Sequence, residues 1–465
     1  MDKKPSEELK EKLFYKGQHA ALTVSEETAA AAEAFCEGYK AFINASKTER
    51  EAVRTAVRMA EERGFVPFEP DKKYNPGDRV YLNNRGKALL LAVIGSEPIE
   101  KGVNIAAAHI DSPRIDLKPN PVFEDGELAY FKTHYYGGIK KYQWTVTPLA
   151  LHGVVVKADG ERVEVCLGEK EEEPCFLITD LLPHLAAEQC KRPLSEGIKG
   201  EELNILIGSR PFKEDEGSEM VKLNILKLLH EKYGIIEGDF LSAELTLVPA
   251  AKARDLGFDR SMIAGYGHDD RVCAYPALMA ALDTEAPRRT VITVLADKEE
   301  IGSEGNTGMK SRYLTYFIND LAKAQGSCGY RVLSNSRCLS ADVNAAFDPT
   351  FPDVSERRNC AMLNHGVVIT KYTGSRGKSG TNDASAEYMG EIRRMLEAGG
   401  VVWQIGELGK VDAGGGGTVA MYIANLNVDT VDLGVPVLSM HAPCEVVAKL
   451  DVYMAWRAMM EFYKG

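Results

Sequence analysis

The sequence predicts an α/β protein with a mainly β module inserted into it, and three observations carry that prediction. Runs of aliphatic and β-branched residues, such as Thr290-Val291-Ile292-Thr293-Val294-Leu295-Ala296, alternate with helical windows in both terminal parts of the chain. Between residues 114 and 241 that texture gives way to short strand-like runs, turns, a Tyr135-Tyr136-Gly137-Gly138 segment and acidic stretches. Histidines and carboxylates recur just beyond the expected strands, where sheets of this class place their chemistry.

The elements follow in order. Residues 24–64 read as helical, with Thr23 and Glu26 as a capping box and apolar side chains recurring at Ala32, Phe35, Tyr39 and Phe42. Strands are expected at 88–94 and 103–108, the second running into His109-Ile110-Asp111-Ser112-Pro113. The α/β texture resumes with a strand at 243–248, so the insertion spans 114–241 and the outer domain comprises 1–113 and 242–465. Further strands are expected at 291–296, 338–343, 365–370, 401–405 and 435–440, and helices at 270–283, 306–323, 382–398 and 445–463. Four consecutive glycines, 414–417, lack the Lys-Ser/Thr of a phosphate-binding loop and point to a hinge or a close backbone approach.

Composition narrows the function. A chain of 465 residues, 45% hydrophobic and 27% charged, has ample core for two or three domains. Its net charge of −12 argues against nucleic-acid binding and against a polybasic membrane face. Nine cysteines without a C-x-x-C pair indicate neither a disulfide framework nor a thiolate zinc site, and read as reduced, mostly buried thiols. The charged start Met1-Asp2-Lys3-Lys4 has no apolar signal region, and no apolar run has membrane-spanning length, so a cytoplasmic protein is expected.

The strand ends carry the chemistry. His109 and Asp111, Asp269 and Asp270, Glu299 and Glu300, Asp342 and His441 each fall at an expected strand end or turn. Singly, each has an ordinary reading as a helix cap, a turn former or a structural histidine. Jointly they form a nitrogen and oxygen donor set suited to zinc, cobalt or manganese, with no thiolate, which suits a catalytic site. Five protein donors fit a two-metal site with one bridging carboxylate, for which Asp269 is the candidate. Adjacent Glu299 and Glu300 can divide labour, one binding metal and the other taking a proton from water. Asp111 could orient the His109 ring.

Taken together, His109-Ile110-Asp111-Ser112, Asp269-Asp270-Arg271, Glu299-Glu300-Ile301-Gly302-Ser303, Ser340-Ala341-Asp342 and Met440-His441 resemble the aspartyl aminopeptidase and aminopeptidase I family. Its members are dinuclear zinc exopeptidases with a mixed-sheet catalytic domain. The resemblance implies that His109 and Asp342 hold one metal, Glu300 and His441 the other, and Asp269 both, with Glu299 as general base. It implies that 114–241 is an oligomerisation domain building dodecamers, and that His184 in Leu182-Pro183-His184-Leu185 enters a neighbouring subunit's active site. Asp-Asp-Arg at 269–271 is closer to the bacterial branch than to the Asp-Asn form of animal-type enzymes. Lys371, with Arg376 and Lys378 behind it, occupies the substrate-pocket segment; acidic and neutral N-terminal residues such as Leu both stay open. The competing readings are a metal-dependent carboxypeptidase, an N-acyl amino-acid deacylase and a non-catalytic assembly with a relic site.

Overall fold

A computed structural model describes residues 4–465. Its centre is a nine-stranded mixed sheet in the order Val66–Pro67, Arg79–Asn84, Ala88–Val93, Val291–Ala296, Asn104–His109, Arg337–Ser340, Asp429–Gly434, Val367–Thr370, Trp403–Ile405. The four middle strands, Val291–Ala296 through Asp429–Gly434, run parallel, and the strands that flank them pair antiparallel. Side chains alternate faces along each strand, so Leu89, Leu91 and Val93 pack into one apolar cluster while Leu90 and Ala92 pack into another. The first cluster receives the helices Glu26–Asn44, Glu49–Glu62, His268–Asp283, Ala386–Ala398 and Lys449–Lys464; the second receives Tyr313–Ala324. That is the layered arrangement expected of the α/β part.

A second, seven-stranded antiparallel sheet runs in the order Arg162–Leu167, Leu149–Val156, Ala243–Pro249, Arg114–Asp125, Leu128–Tyr136, Ile205–Gly208, Leu177–Ile178. It has its own core, centred on Trp144, Phe131 and Leu247. The strand Ala243–Pro249, expected to restart the α/β layer, lies in the middle of this sheet instead. Its seven residues pair in register with Leu149–Val156, and an aliphatic run carries no mark of which sheet it will join.

A small third sheet joins Arg254–Leu256, Met262–Gly265, Glu445–Ala448, Pro436–Leu438 and Asn344–Ala345. The expected strand at 435–440 is therefore the short Pro436–Leu438 of this sheet, while Asp429–Gly434 fills the place in the central one. The expected helix at 445–463 begins with a strand for the same reason.

Helix boundaries moved where capping chemistry sets them. Residues 24–64 form two helices, the first capped by Ser25, whose hydroxyl accepts from the Thr28 N–H, and the second by a Thr48–Glu51 capping box. Thr23 instead turns its hydroxyl back to the His19 carbonyl. The window at 306–323 is helical only over Tyr313–Ala324, because Gly308 packs against the Ser303 carbonyl with no room for a Cβ. Residues 382–385 precede the helix Ala386–Ala398, which Ser385 caps. All nine cysteines are free, but five of them are exposed, so the expectation of mostly buried thiols fails. Among the described residues no helix is long and apolar enough to cross a membrane.

Candidate active site

The donor groups converge at the C-terminal ends of the parallel strands. Asn104–His109 is buried throughout and delivers His109, whose Nδ1 lies 3.0 Å from the Asp111 carbonyl oxygen. With Nδ1–H donating there, Nε2 faces the cluster, 3.1 Å from Asp269 Oδ1 and 3.8 Å from both Glu299 Oε2 and Asp342 Oδ1. His441 comes from the opposite side. Its Nδ1–H donates to the Gly138 carbonyl at 2.7 Å, and its Nε2 lies 3.1 Å from Asp269 Oδ2 and 3.6 Å from Glu300 Oε2. Asp269 thus presents one oxygen to each imidazole.

The turn that holds Glu299 and Glu300 is set by Asp111. After Val291–Ala296 the chain enters a left-handed residue, Lys298, and one 3₁₀ turn, Glu299–Ile301, so the two carboxylates do not alternate across a sheet. The buried Asp111 carboxylate accepts the N–H of Glu299 at 3.1 Å and of Glu300 at 3.2 Å, and the Tyr136 hydroxyl donates to it at 2.9 Å. Its contact with the His109 ring, 3.3 Å from Nδ1, is secondary to the backbone carbonyl.

Electrostatics show what this set lacks. Burial opposes charge on His441, but Asp269 and Glu300 outweigh it and push the imidazole up to about 10. His109 rises well above its usual value, with burial overcome by Asp111 and Asp269. Burial and then Asp111 and Asp269 push Glu299 up to about 7, and Glu300 and Asp342 rise further, both chiefly through burial. Asp269 is depressed, because the two imidazoles outweigh its burial. Buried carboxylates competing for protons with charged imidazoles are resolved when divalent cations replace those protons. Unpartnered buried atoms agree: among the described residues Glu300 Oε1 and Asp270 Oδ1 have no hydrogen-bond partner, and the contact of His109 Nε2 with Asp269 is not aligned as a hydrogen bond. Donor atoms of His109, Asp269 and Glu300, and of His109, Asp270 and Asp342, each gather within 4.8 Å. The residues present fit a metal centre.

The cavity above the cluster, of about 460 Å³, is lined by Asp269, Glu299, Glu300, Asp342, His441, Thr370, Thr418 and Asp432, among others, with Gly415, Gly416 and Gly417 along one wall. A Cβ on Gly415 would strike the Gly374 carbonyl, so the glycine run is a close backbone approach. Two expected residues lie elsewhere. His184 is exposed in the loop between Leu177–Ile178 and Ile205–Gly208 and does not line the cavity. Lys371 also stands outside the lining, its ammonium held by Asp383, which Lys378 Nζ contacts as well at 2.9 Å.

Sequence reasoning missed three supports. Glu445, fully buried, accepts the His441 N–H at 2.7 Å and the Asp269 N–H at 3.1 Å, fixing two donor segments at once. Tyr136 and Gly138 belong to the end of the hairpin Arg114–Asp125 and Leu128–Tyr136, so the second sheet reaches into the site of the same chain. The signal available was the Tyr-Tyr-Gly-Gly segment itself, whose glycines let backbone lie against the cluster: a Cβ on Gly137 would come within 3.3 Å of the Glu300 side chain.

Comparison with known proteins agrees with this geometry. The family model for aminopeptidase I zinc metalloprotease (M18) matches residues 42–463. A probable M18 family aminopeptidase 1 of Clostridium acetobutylicum is 53% identical over 426 residues, covering 89% of this chain and 91% of that protein. The crystal structure of an M18 family aminopeptidase from Thermotoga maritima is 44% identical, with a TM-score of 0.93 over 97% of this chain and 100% of that one. The S. cerevisiae mApe1 dodecamer, 21% identical over 94% of this chain and 97% of that one, shares the fold with a TM-score of 0.76. The chain therefore belongs to the M18 family of zinc metalloproteases and is a metallo-aminopeptidase.

Proposed function

We propose that the chain is a dinuclear aminopeptidase that removes a neutral N-terminal residue. The observation that carries the reading is Asp269, whose two oxygens each face a different histidine across the cluster. His109 and Asp342 would hold one divalent ion, zinc by family with cobalt or manganese also suited, and Glu300 and His441 the other, with Asp269 shared. Such ions, when bound, polarise the peptide carbonyl and make water acidic near neutral pH. Glu299, beside the cluster and outside both histidine–carboxylate contacts of Asp269, is free to take the water's proton and return it to the leaving amine. Asp111 and Glu445 keep the carboxylates and imidazoles in place while it does so.

Substrate choice follows from the walls. Among the described residues no lysine or arginine lines the cavity, and the ammonium of Lys371 is paired with Asp383, so none of them there awaits an Asp or Glu side chain. Val343, Leu408 and Met440 offer apolar surface instead. Residues 114–241 would serve subunit assembly, as the dodecameric relative suggests. The apolar side chains of Leu181, Leu182 and Leu185 are exposed around His184, consistent with a covered surface that carries this histidine to a neighbour's site.

Two measurements test the reading. Glu299→Gln should lower kcat by about a hundredfold or more while both ions stay bound, and Glu300→Ala should lose one ion per chain by elemental analysis. Peptides beginning with Leu or Met should be cleaved faster than those beginning with Asp, Glu or Lys, and acylated peptides should resist. A profile led by Asp and abolished by Lys371→Ala would overturn the neutral-residue reading.

A further inference from the structure

We propose that Asp432 anchors the free α-ammonium group of the substrate. The strands Arg337–Ser340, Asp429–Gly434 and Val367–Thr370 are neighbours, and Ser340, Asp432 and Thr370 are register partners across them. Partners in register project to the same face, so three polar side chains stand side by side at one end of the sheet. Asp432 and Thr370 line the cavity that holds Asp269, Glu299, Glu300 and Asp342.

Asp432 is 3% exposed. Its Oδ1 accepts from the Thr418 hydroxyl at 2.7 Å, while its Oδ2 has no hydrogen-bond partner among the described residues. The Ser340 hydroxyl beside it also lacks a well-aligned hydrogen bond among the described residues, although it stands close enough to favour the ionised carboxylate. Asp432 belongs to neither donor group that gathers around His109, so a metal does not explain it. A buried carboxylate with one idle oxygen is costly unless a cationic donor meets it. Among the described residues neither lysine nor arginine lines the cavity to do so. The cation an aminopeptidase must admit is the substrate's own N-terminus, a compact charge with three N–H donors. Burial, with a smaller push from Glu299, outweighs the Thr418 and Ser340 hydroxyls and holds the Asp432 carboxyl towards its protonated form, and an arriving ammonium favours the ionised one. An N-acylated substrate brings neither charge nor donors in that number, which leaves the carboxylate unpaired. Discrimination between free and blocked N-termini then arises at Asp432.

The inference rests on the cavity being the active site, and the experiment separates the two. L-leucine and 4-methylpentanoate, the same carbon chain without the amine, are titrated calorimetrically into the full-length, zinc-loaded enzyme. Wild type should prefer leucine. Asp432→Asn should weaken leucine by about tenfold to a hundredfold with 4-methylpentanoate unchanged. An intact preference, or equal weakening of both ligands, overturns the proposal. If Asp432→Asn does not fold, Thr418→Val, which keeps the charge but frees its orientation, should shrink the preference by a smaller factor, and an unchanged preference there counts against it equally. Glu300→Ala serves as the locator: if both ligands bind it as they bind wild type, the cavity assignment fails rather than the role of Asp432.

Discussion

Asp111 does more than a neighbour of a candidate metal-binding histidine needs to do. By accepting two successive backbone N–H groups it fixes the turn on which Glu299 and Glu300 stand, and so holds both carboxylates at once. Removing it leaves two partly buried N–H donors without their acceptor, at up to about 1–3 kcal/mol each. Asp111→Ala should therefore lower the melting temperature and also lower kcat by about a hundredfold through misplacement of Glu299, the proposed base. Asp111→Asn, which keeps one acceptor oxygen, should lose less of both in thermal denaturation and steady-state kinetics. The carboxylate pair itself was legible in sequence because Glu299 and Glu300 follow directly on a strand. The larger role of Asp111 was not, since the contact spans 188 residues and depends on a backbone turn. Glu445 and Asp432 escaped for a related reason: nothing local distinguishes a buried carboxylate that supports or lines a site from a solvated one.

At the scale of elements, the junction between the two sheets is held by an ionic group rather than by apolar packing alone. His152, on Leu149–Val156, contacts Glu51 of the helix Glu49–Glu62 at 2.8 Å and Glu169 at 2.9 Å, and Lys47 pairs with Glu169 at 2.8 Å. Burial works against charge on His152, but Cys166, Glu169 and Glu51 outweigh it and push the imidazole up to about 11. A histidine whose folded value lies above its unfolded 6.5 contributes stability that is fully present below 6.5 and is lost as pH rises through about 11. The melting temperature should therefore decline between pH 7 and 11, and His152→Gln should flatten that decline while lowering stability at pH 6. A variant with the wild-type slope would remove His152 from this account. The elements themselves were readable where they were long and periodic, as at Val291–Ala296 and Lys449–Lys464. Short strands such as Pro436–Leu438 and Glu445–Ala448 were not, because a few aliphatic residues satisfy a helix, a central strand or an edge equally well.

At the scale of the whole molecule, the proposed assembly makes a prediction that a single chain cannot. If His184 acts in a neighbour's site, a subunit carrying His184→Ala still offers Glu299, and one carrying Glu299→Gln still offers His184. Each homogeneous variant should be nearly inactive, and co-expression of the two should restore a fraction of the wild-type rate in mixed particles resolved by light scattering. Mixed particles as inactive as the parents would place His184 outside the reaction. The α/β character and the break in texture after residue 113 were visible in the sequence, but the extent of the second sheet was not, because Ala243–Pro249 is claimed by pairing with distant strands. The order in which the donors occur along the chain has its own consequence. His109, Asp269, Glu300, Asp342 and His441 arrive one at a time during synthesis, spread over more than three hundred residues. A nascent chain therefore holds no complete donor set until His441 has been made, so proteolytic competence waits on segments synthesised far apart finding one another.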